Sequence, residues 1–151
     1  MKLKENDNIP NSEFFIMENG SPVKKNTLEF FKNKKIVLFG LPGAYTSVCS
    51  AKHLPGYVDN YEKYKAKGID YVVCISVNDP FVMDAWGKSQ NVADKILMMA
   101  DPFLAFTKAI GIKPSLPEEL KYVMDEKENY DVIANNLSKT KQYIKEKIQW
   151  N

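Results

Sequence analysis

The stretch that decides the fold is Leu38–Tyr57, LFGLPGAYTSVCSAKHLPGY. It joins a short apolar strand to a helix through a Pro-Gly turn, and it carries Cys49 near the start of that helix, with Pro42 and Thr46 ahead of it. A helix start presents backbone N–H groups without partners and the positive end of the dipole, so it favours an anion. For a cysteine the anion is the thiolate, which is the reactive form. The rest of the chain is expected to hold, shield and resolve this one sulfur.

Reading outward, Lys35–Phe39 is a compact apolar run of the kind that forms a buried central strand. The helix after the turn is expected over about 47–67. Pro55 removes a backbone donor, so an interruption is expected near Leu54-Pro55-Gly56. Ile69 to Val77 is a second buried strand with Cys74 inside it. Asp79 is a good N-cap and Pro80 suits the first helical position, which predicts a helix over Phe81–Ser89. Ile96–Met99 is a third strand. Asp101-Pro102 repeats the Asp-Pro opening ahead of a helix over Phe103–Ile110, closed by Gly111. On the N-terminal side, residues 13–25 read as a hairpin turning at Asn19-Gly20-Ser21-Pro22, and Thr27 is expected to cap a short helix through Phe31. Beyond Gly111, Lys113–Glu119 reads as a loop, Tyr122–Met124 as a short strand, and Asp131 to about Gln149 as a last helix. The β-α alternation predicts an α/β fold with a mainly parallel sheet and helices packed on it.

Composition narrows the function. With 151 residues, 44% hydrophobic and 26% charged, one domain with a real core is expected. The net charge of +2, spread as lysines alternating with acids, carries no nucleic-acid signal. No apolar run approaches the about 20 residues of a membrane span, and the first residues lack the apolar core of a secretory signal. Two cysteines, Cys49 and Cys74, make neither a disulfide framework nor a C-x-x-C pair, so a reducing compartment is expected: the cytoplasm, or an organelle after removal of a transit peptide. One histidine and two distant cysteines make a poor zinc site, and no cofactor is implied. His53, four residues after Cys49, shares its helix face and raises a Cys-His hydrolase reading, but no Asp or Asn stands in a recognisable partner context. Cys74, between Val73 and Ile75, reads as a buried core residue.

The spacing Pro42-x-x-x-Thr46-x-x-Cys49 resembles the peroxide-active signature of the peroxiredoxins, and the longer string PGAYTSVCSAKHLPGY resembles their type-5, or redoxin, subfamily within the alkyl hydroperoxide reductase and thiol-specific antioxidant superfamily. Ser76-Val77-Asn78-Asp79 with Phe81, Val82 and Trp86, and Ala100-Asp101-Pro102 with Phe106-Thr107-Lys108, agree with it in order. The resemblance covers roughly residues 5–112. It implies a single thioredoxin-like domain, with a central mixed sheet flanked by helices, and a thiol peroxidase acting on hydrogen peroxide and small alkyl hydroperoxides. By the same resemblance Cys49 is the peroxidatic cysteine, the Thr46 hydroxyl bonds the thiolate and the peroxide, and Pro42 shields the sulfur. The Val48 and Cys49 N–H groups then face the peroxide oxygens, and His53 is not a base. A homodimer is implied as well.

One departure is decisive for the expected strength of the activity. The family sets an arginine against the thiolate, and this chain has none: all 21 basic residues are lysines. The nearest replacement is Lys121, ahead of Tyr122, and the segment between Gly111 and Lys121 reads as shortened. A helix start supplies about 0.3–1 kcal/mol of preference for the anion, and about 2 when partly buried. A hydroxyl donor adds about 1.5–3 kcal/mol. Together these suffice to hold a thiolate. They do not stabilise the charge growing on the departing oxygen, which needs a preorganised donor or cation, and a lysine there lacks the planar fork of a guanidinium. Two functions are therefore expected: a one-cysteine peroxidase resolved by an external thiol such as glutathione, glutaredoxin or thioredoxin, or a weakened relative kept as a redox-sensing or interaction module.

Overall fold

The computed structural model describes residues 3–112. Five strands form one sheet in the order β2-β1-β5-β4-β3. β1 (Glu13–Glu18) and β2 (Ser21–Asn26) are an antiparallel hairpin, with Glu18 opposite Ser21. Its two-residue loop, Asn19-Gly20, has positive φ at both positions, +51° and +79°. That is the turn whose twist matches the flanking strands, and Asn-Gly is the pair that adopts it most cheaply. β3 (Ile36–Gly40), β4 (Tyr71–Ser76) and β5 (Ile96–Ala100) run parallel, and β1 joins β5 antiparallel through Phe15 and Ala100. The mixed thioredoxin-like sheet implied by the resemblance is the observed one, and β3, β4 and β5 are the parallel part expected from the β-α alternation.

β4 is buried on both faces, and its side chains alternate between two cores. Val72 and Cys74 point into one core with Phe39, Leu54, Met83 and Trp86; Val73 and Ile75 point into the other with Phe14, Phe31, Met99 and Phe106. α4 (Pro80–Ser89) lies close on the first face. A Cβ at Gly87 would stand 2.8 Å from Met98 Cγ, so a glycine is what lets this helix approach β5.

Caps explain where several helices start. Asp79 accepts from the Phe81 and Val82 amides and Pro80 opens α4, as the sequence predicts. For α1 (Thr27–Phe30) the cap is Asn26, not Thr27. Thr27 is fully buried, and its hydroxyl donates to the Pro10 carbonyl and accepts from the Ser12 amide, tying the N-terminal segment to the hairpin. α5 (Ala105–Ala109) starts later than expected, because Leu104 is left-handed at φ +58°. The buried Asp101 reaches over that turn to accept from the Phe106 and Thr107 amides and the Thr107 hydroxyl.

The expected interruption at Leu54-Pro55-Gly56 is absent. Residues 47–59 are continuously helical, and Cys49–His53 form a π-helical turn leading into α2 (Leu54–Asp59). The Leu54 amide bonds the Cys49 carbonyl, five residues back. A proline ring collides with the carbonyl four residues earlier in a regular α-helix; the wider turn accommodates Pro55 without a break. The break falls at Asn60, before α3 (Tyr61–Ala66). The expected loop after Lys113, the Tyr122–Met124 strand, the final helix and Lys121 lie outside the described residues.

Candidate active site

The site lies beyond the carboxyl ends of the adjacent parallel strands β3 and β4, where open α/β sheets build their ligand sites. β3 ends at Gly40, the Leu41 amide still bonds the Ile75 carbonyl at 3.1 Å, and the chain then leaves the sheet as the Leu41–Thr46 loop. Thr46 supplies the carbonyl for the first helical bond, from the Ser50 amide at 3.0 Å. The amides of Ser47, Val48 and Cys49 precede that bond and have no partner within the helix. This is the anion-favouring geometry expected from the strand-turn-helix reading.

Cys49 is a free thiol, 5% exposed, at the first position of the π turn. It is packed into the same core cluster as Cys74, Trp86 and Leu54, whereas Pro42, Tyr45, Thr46 and Val48 just before it are exposed. Cys49 is therefore shielded from bulk solvent while the residues that lead the chain to it are largely in water. Cys74 is a different case. It is completely enclosed in the middle of β4, and burial, followed by the proximity of Cys49, pushes its thiol well above the ordinary thiol range. It therefore stays protonated and is a poor nucleophile.

Thr46 is part of a tight turn. Its hydroxyl donates to the Gly43 carbonyl at 2.9 Å, so in this structure its single proton is given to the loop and not to the Cys49 sulfur, unlike the bond to a thiolate that the resemblance implies, and its lone pairs face any donor. His53 packs beside Phe39 and Tyr57, whose rings stack face to face with centroids 3.7 Å apart. Among the described residues no cluster of His, Cys, Asp and Glu could hold a metal ion.

Two contacts at this site were not singled out by sequence. The Trp86 indole donates to the Ser50 hydroxyl at 3.0 Å, joining α4 to the residue after Cys49. Asn78 Oδ1 accepts from the Ala44 amide at 2.8 Å and from the Ser76 hydroxyl at 2.9 Å, joining the exit of β4 to the Pro42–Thr46 loop. Asn78 and Trp86 stand in one of the motifs that carry the resemblance, which assigned neither a role; a further signal for Asn78 is its place, a polar residue just past the carboxyl end of a buried strand.

Comparison with known proteins agrees with this geometry. Residues 4–129 match the family model described as Redoxin. The chain is 40% identical over 136 residues to peroxiredoxin Pen c 3 of Penicillium citrinum, covering 82% of this chain and 81% of that protein. It is 47% identical over 92 residues to the mitochondrial peroxiredoxin-2F of Arabidopsis thaliana; that match spans 61% of this chain and 46% of the plant protein, about half its length. The crystal structure of reduced Prx3 of Vibrio vulnificus in complex with hydrogen peroxide superposes with a TM-score of 0.70 at 44% identity, covering 72% of this chain and 68% of that one.

Proposed function

The chain belongs to the redoxin family and is a peroxiredoxin, a thiol-dependent peroxidase, and on that premise we propose that it reduces hydrogen peroxide and small alkyl hydroperoxides with Cys49 alone, an external thiol completing the cycle. The observation that carries the reading is the position of Cys49, in the first turn of the helix and enclosed by the core, a few residues after a turn whose Pro42, Tyr45 and Thr46 are exposed. The peroxide in the Vibrio structure supports the choice of substrate.

In the proposed reaction the Cys49 thiolate attacks one peroxide oxygen. The S–O bond forms as the O–O bond breaks, and the departing oxygen takes a proton and leaves as water or alcohol. Cys49 is left as a sulfenic acid. One external thiol condenses with it, releasing water and forming a mixed disulfide. A second thiol, from another molecule of a monothiol or from the same molecule of a dithiol protein, attacks the reductant's sulfur in that disulfide, releasing the Cys49 thiolate and leaving the reductant as a disulfide. Thr46 and Pro42 act as positioner and shield, the amides of Val48 and Cys49 face the peroxide oxygens, and Lys121 stands in for the absent arginine. Cys74 takes no part, because its thiol is enclosed in β4 and burial keeps it protonated. Glutathione, glutaredoxin or thioredoxin fit the role of reductant.

Self-association fits the same pole of the fold. Tyr45, Phe81 and Phe103 follow the carboxyl ends of β3, β4 and β5 in turn, and all three are exposed. A homodimer covering them is part of the proposal. No helix among the described residues is long and apolar enough to cross a membrane, and a reducing compartment, cytoplasmic or organellar, suits the chemistry.

The test is the second-order rate of peroxide consumption by the full chain. Cys49→Ser is expected to abolish it and Cys74→Ser to leave it within about twofold of wild type. A Cys49→Ser protein that consumes peroxide as fast as wild type removes the reading. The competing function, a redox-sensing or interaction module, is favoured by the lack of any arginine. It requires Cys49 to react with peroxide no faster than a free thiol. Lys121→Ala is expected to slow peroxide attack without changing alkylation of Cys49.

A further inference from the structure

We propose that Asn78 is a positioning residue for the peroxidase reaction: it sets the direction of the Thr46 hydroxyl through the Gly43–Ala44 peptide plane. The inference rests on the reading of Cys49 as the peroxidatic sulfur.

The two bonds concerned belong to opposite ends of one amide. The Ala44 N–H donates to Asn78 Oδ1 at 2.8 Å, and the Gly43 carbonyl, in the same peptide unit, accepts the Thr46 hydroxyl at 2.9 Å. A peptide unit is planar, so fixing its N–H fixes the direction of its C=O. An amide bonded at both ends is also polarised, and each bond strengthens the other. The side-chain orientation of Asn78 is determined by chemistry, because a backbone amide can only donate and therefore faces the oxygen of the side chain.

The support behind Asn78 is firm. Its Oδ1 also accepts from Ser76, which is buried at the end of β4, and Asp79 beside it caps α4. The loop in front of it is under tension. Tyr45 sits at φ +61°, a left-handed conformation unfavourable for a bulky side chain, which persists only where surrounding contacts hold it. The sheet ladder gives no hold beyond Leu41, whose amide makes the last bond to β4. Asn78 is thus the link from the rigid sheet to the turn that carries Thr46. Without it the Gly43–Ala44 plane is free to rotate and the Thr46 hydroxyl loses its direction.

The experiment uses the full chain as Asn78→Ala and Asn78→Asp variants. Aspartate keeps an oxygen acceptor for Ala44; alanine does not. For each, the second-order rate with hydrogen peroxide is divided by the rate of alkylation of Cys49 with iodoacetamide. Both reactions use the thiolate, so the ratio cancels changes in thiolate population and reports the geometry that only peroxide needs. Asn78→Ala is expected to lower the ratio by roughly ten- to a hundredfold, and Asn78→Asp to restore it to within about threefold of wild type. Amide hydrogen exchange of Ala44 is expected to be slow in wild type and Asn78→Asp and fast in Asn78→Ala. An unchanged ratio in Asn78→Ala, an equal fall in both variants, or retained protection of Ala44 in Asn78→Ala overturns the proposal. The wild-type rate judges the underlying reading separately: a chain reacting with peroxide no faster than free cysteine loses that reading, while the exchange of Ala44 still decides whether Asn78 holds the loop.

Discussion

Trp86 and Ser50 are joined by a 3.0 Å hydrogen bond, indole to hydroxyl, between a fully buried side chain of α4 and the residue that follows Cys49. An indole N–H can only donate, and once buried it needs an acceptor. Ser50→Ala removes that acceptor while leaving the ring in place. The cost expected is about 1–3 kcal/mol, the range for stranding a buried donor, and urea unfolding measures it. Ser50→Thr, which keeps a hydroxyl, is expected to lose less than half as much.

Cys74 gives the protein a specific weakness to alkali. Burial holds its thiol protonated in the fold, whereas the unfolded chain releases that proton above a pH of about 8.5. The unfolded state therefore binds fewer protons than the native state in that range, and stability falls as pH rises. The loss from this one group approaches about 1.4 kcal/mol per pH unit above the unfolded value and is absent below it. Comparing denaturant unfolding of wild type with Cys74→Val between pH 7 and pH 10 isolates the effect. The variant's profile is expected to be flatter on the alkaline side, and parallel profiles would show that the thiol does not contribute.

Gly87 tests the packing of α4 on β5. Its missing Cβ is the space taken by Met98 Cγ, and Val92 Cγ2 would lie 3.3 Å away on another side. Gly87→Ala gains helix propensity but overpacks this contact, for a net loss of about 1–3 kcal/mol. Removing the obstruction with Met98→Ala is expected to make the pair of substitutions less damaging than the sum of the two alone. Thermal or denaturant midpoints of the four proteins close that cycle.

Asn26 and Thr27 are neighbours with exchanged roles, and they are separable by mutation. Asn26→Ala removes the cap of α1 and is expected to cost about 1 kcal/mol. Thr27→Val keeps the shape but strands the Ser12 amide and the Pro10 carbonyl, and is expected to cost more than the cap does. An Asn26→Ala protein as stable as wild type in urea unfolding would show that Asn26 does not cap α1 in solution.

These two residues also show how far sequence reading reached. A Thr at a helix start is a good cap by type, but Asn-Thr offers two candidates, and only the distant partners Pro10 and Ser12 choose between them. Short-range chemistry was legible where it closes on itself: the Asn19-Gly20 turn, the Asp79-Pro80 helix start and the alternation through β4. It failed where a side chain acts across space. Asp101 caps α5 from over a left-handed turn, so the helix begins later than its Asp-Pro opening predicts. At the site, the strand-turn-helix placement of Cys49 was readable from residues 38–57. The hold of Asn78 on Ala44 was not, because 34 residues separate the pair and only the pairing of β3 with β4 brings them together.

The π turn at Cys49–His53 sets an angular phase within the helix. Each residue of an α-helix advances the side-chain direction by about 100°, and the wider turn takes up one residue more than an α turn does. The half that carries Cys49 and the half that seats Tyr57 on Phe39 are thereby offset by roughly a quarter-turn from a uniform helix. Deleting the exposed Ala51 or Lys52 would remove no core side chain and yet aim position 49 differently. In this segment a change in chain length, more than a change in residue type, decides where the sulfur points.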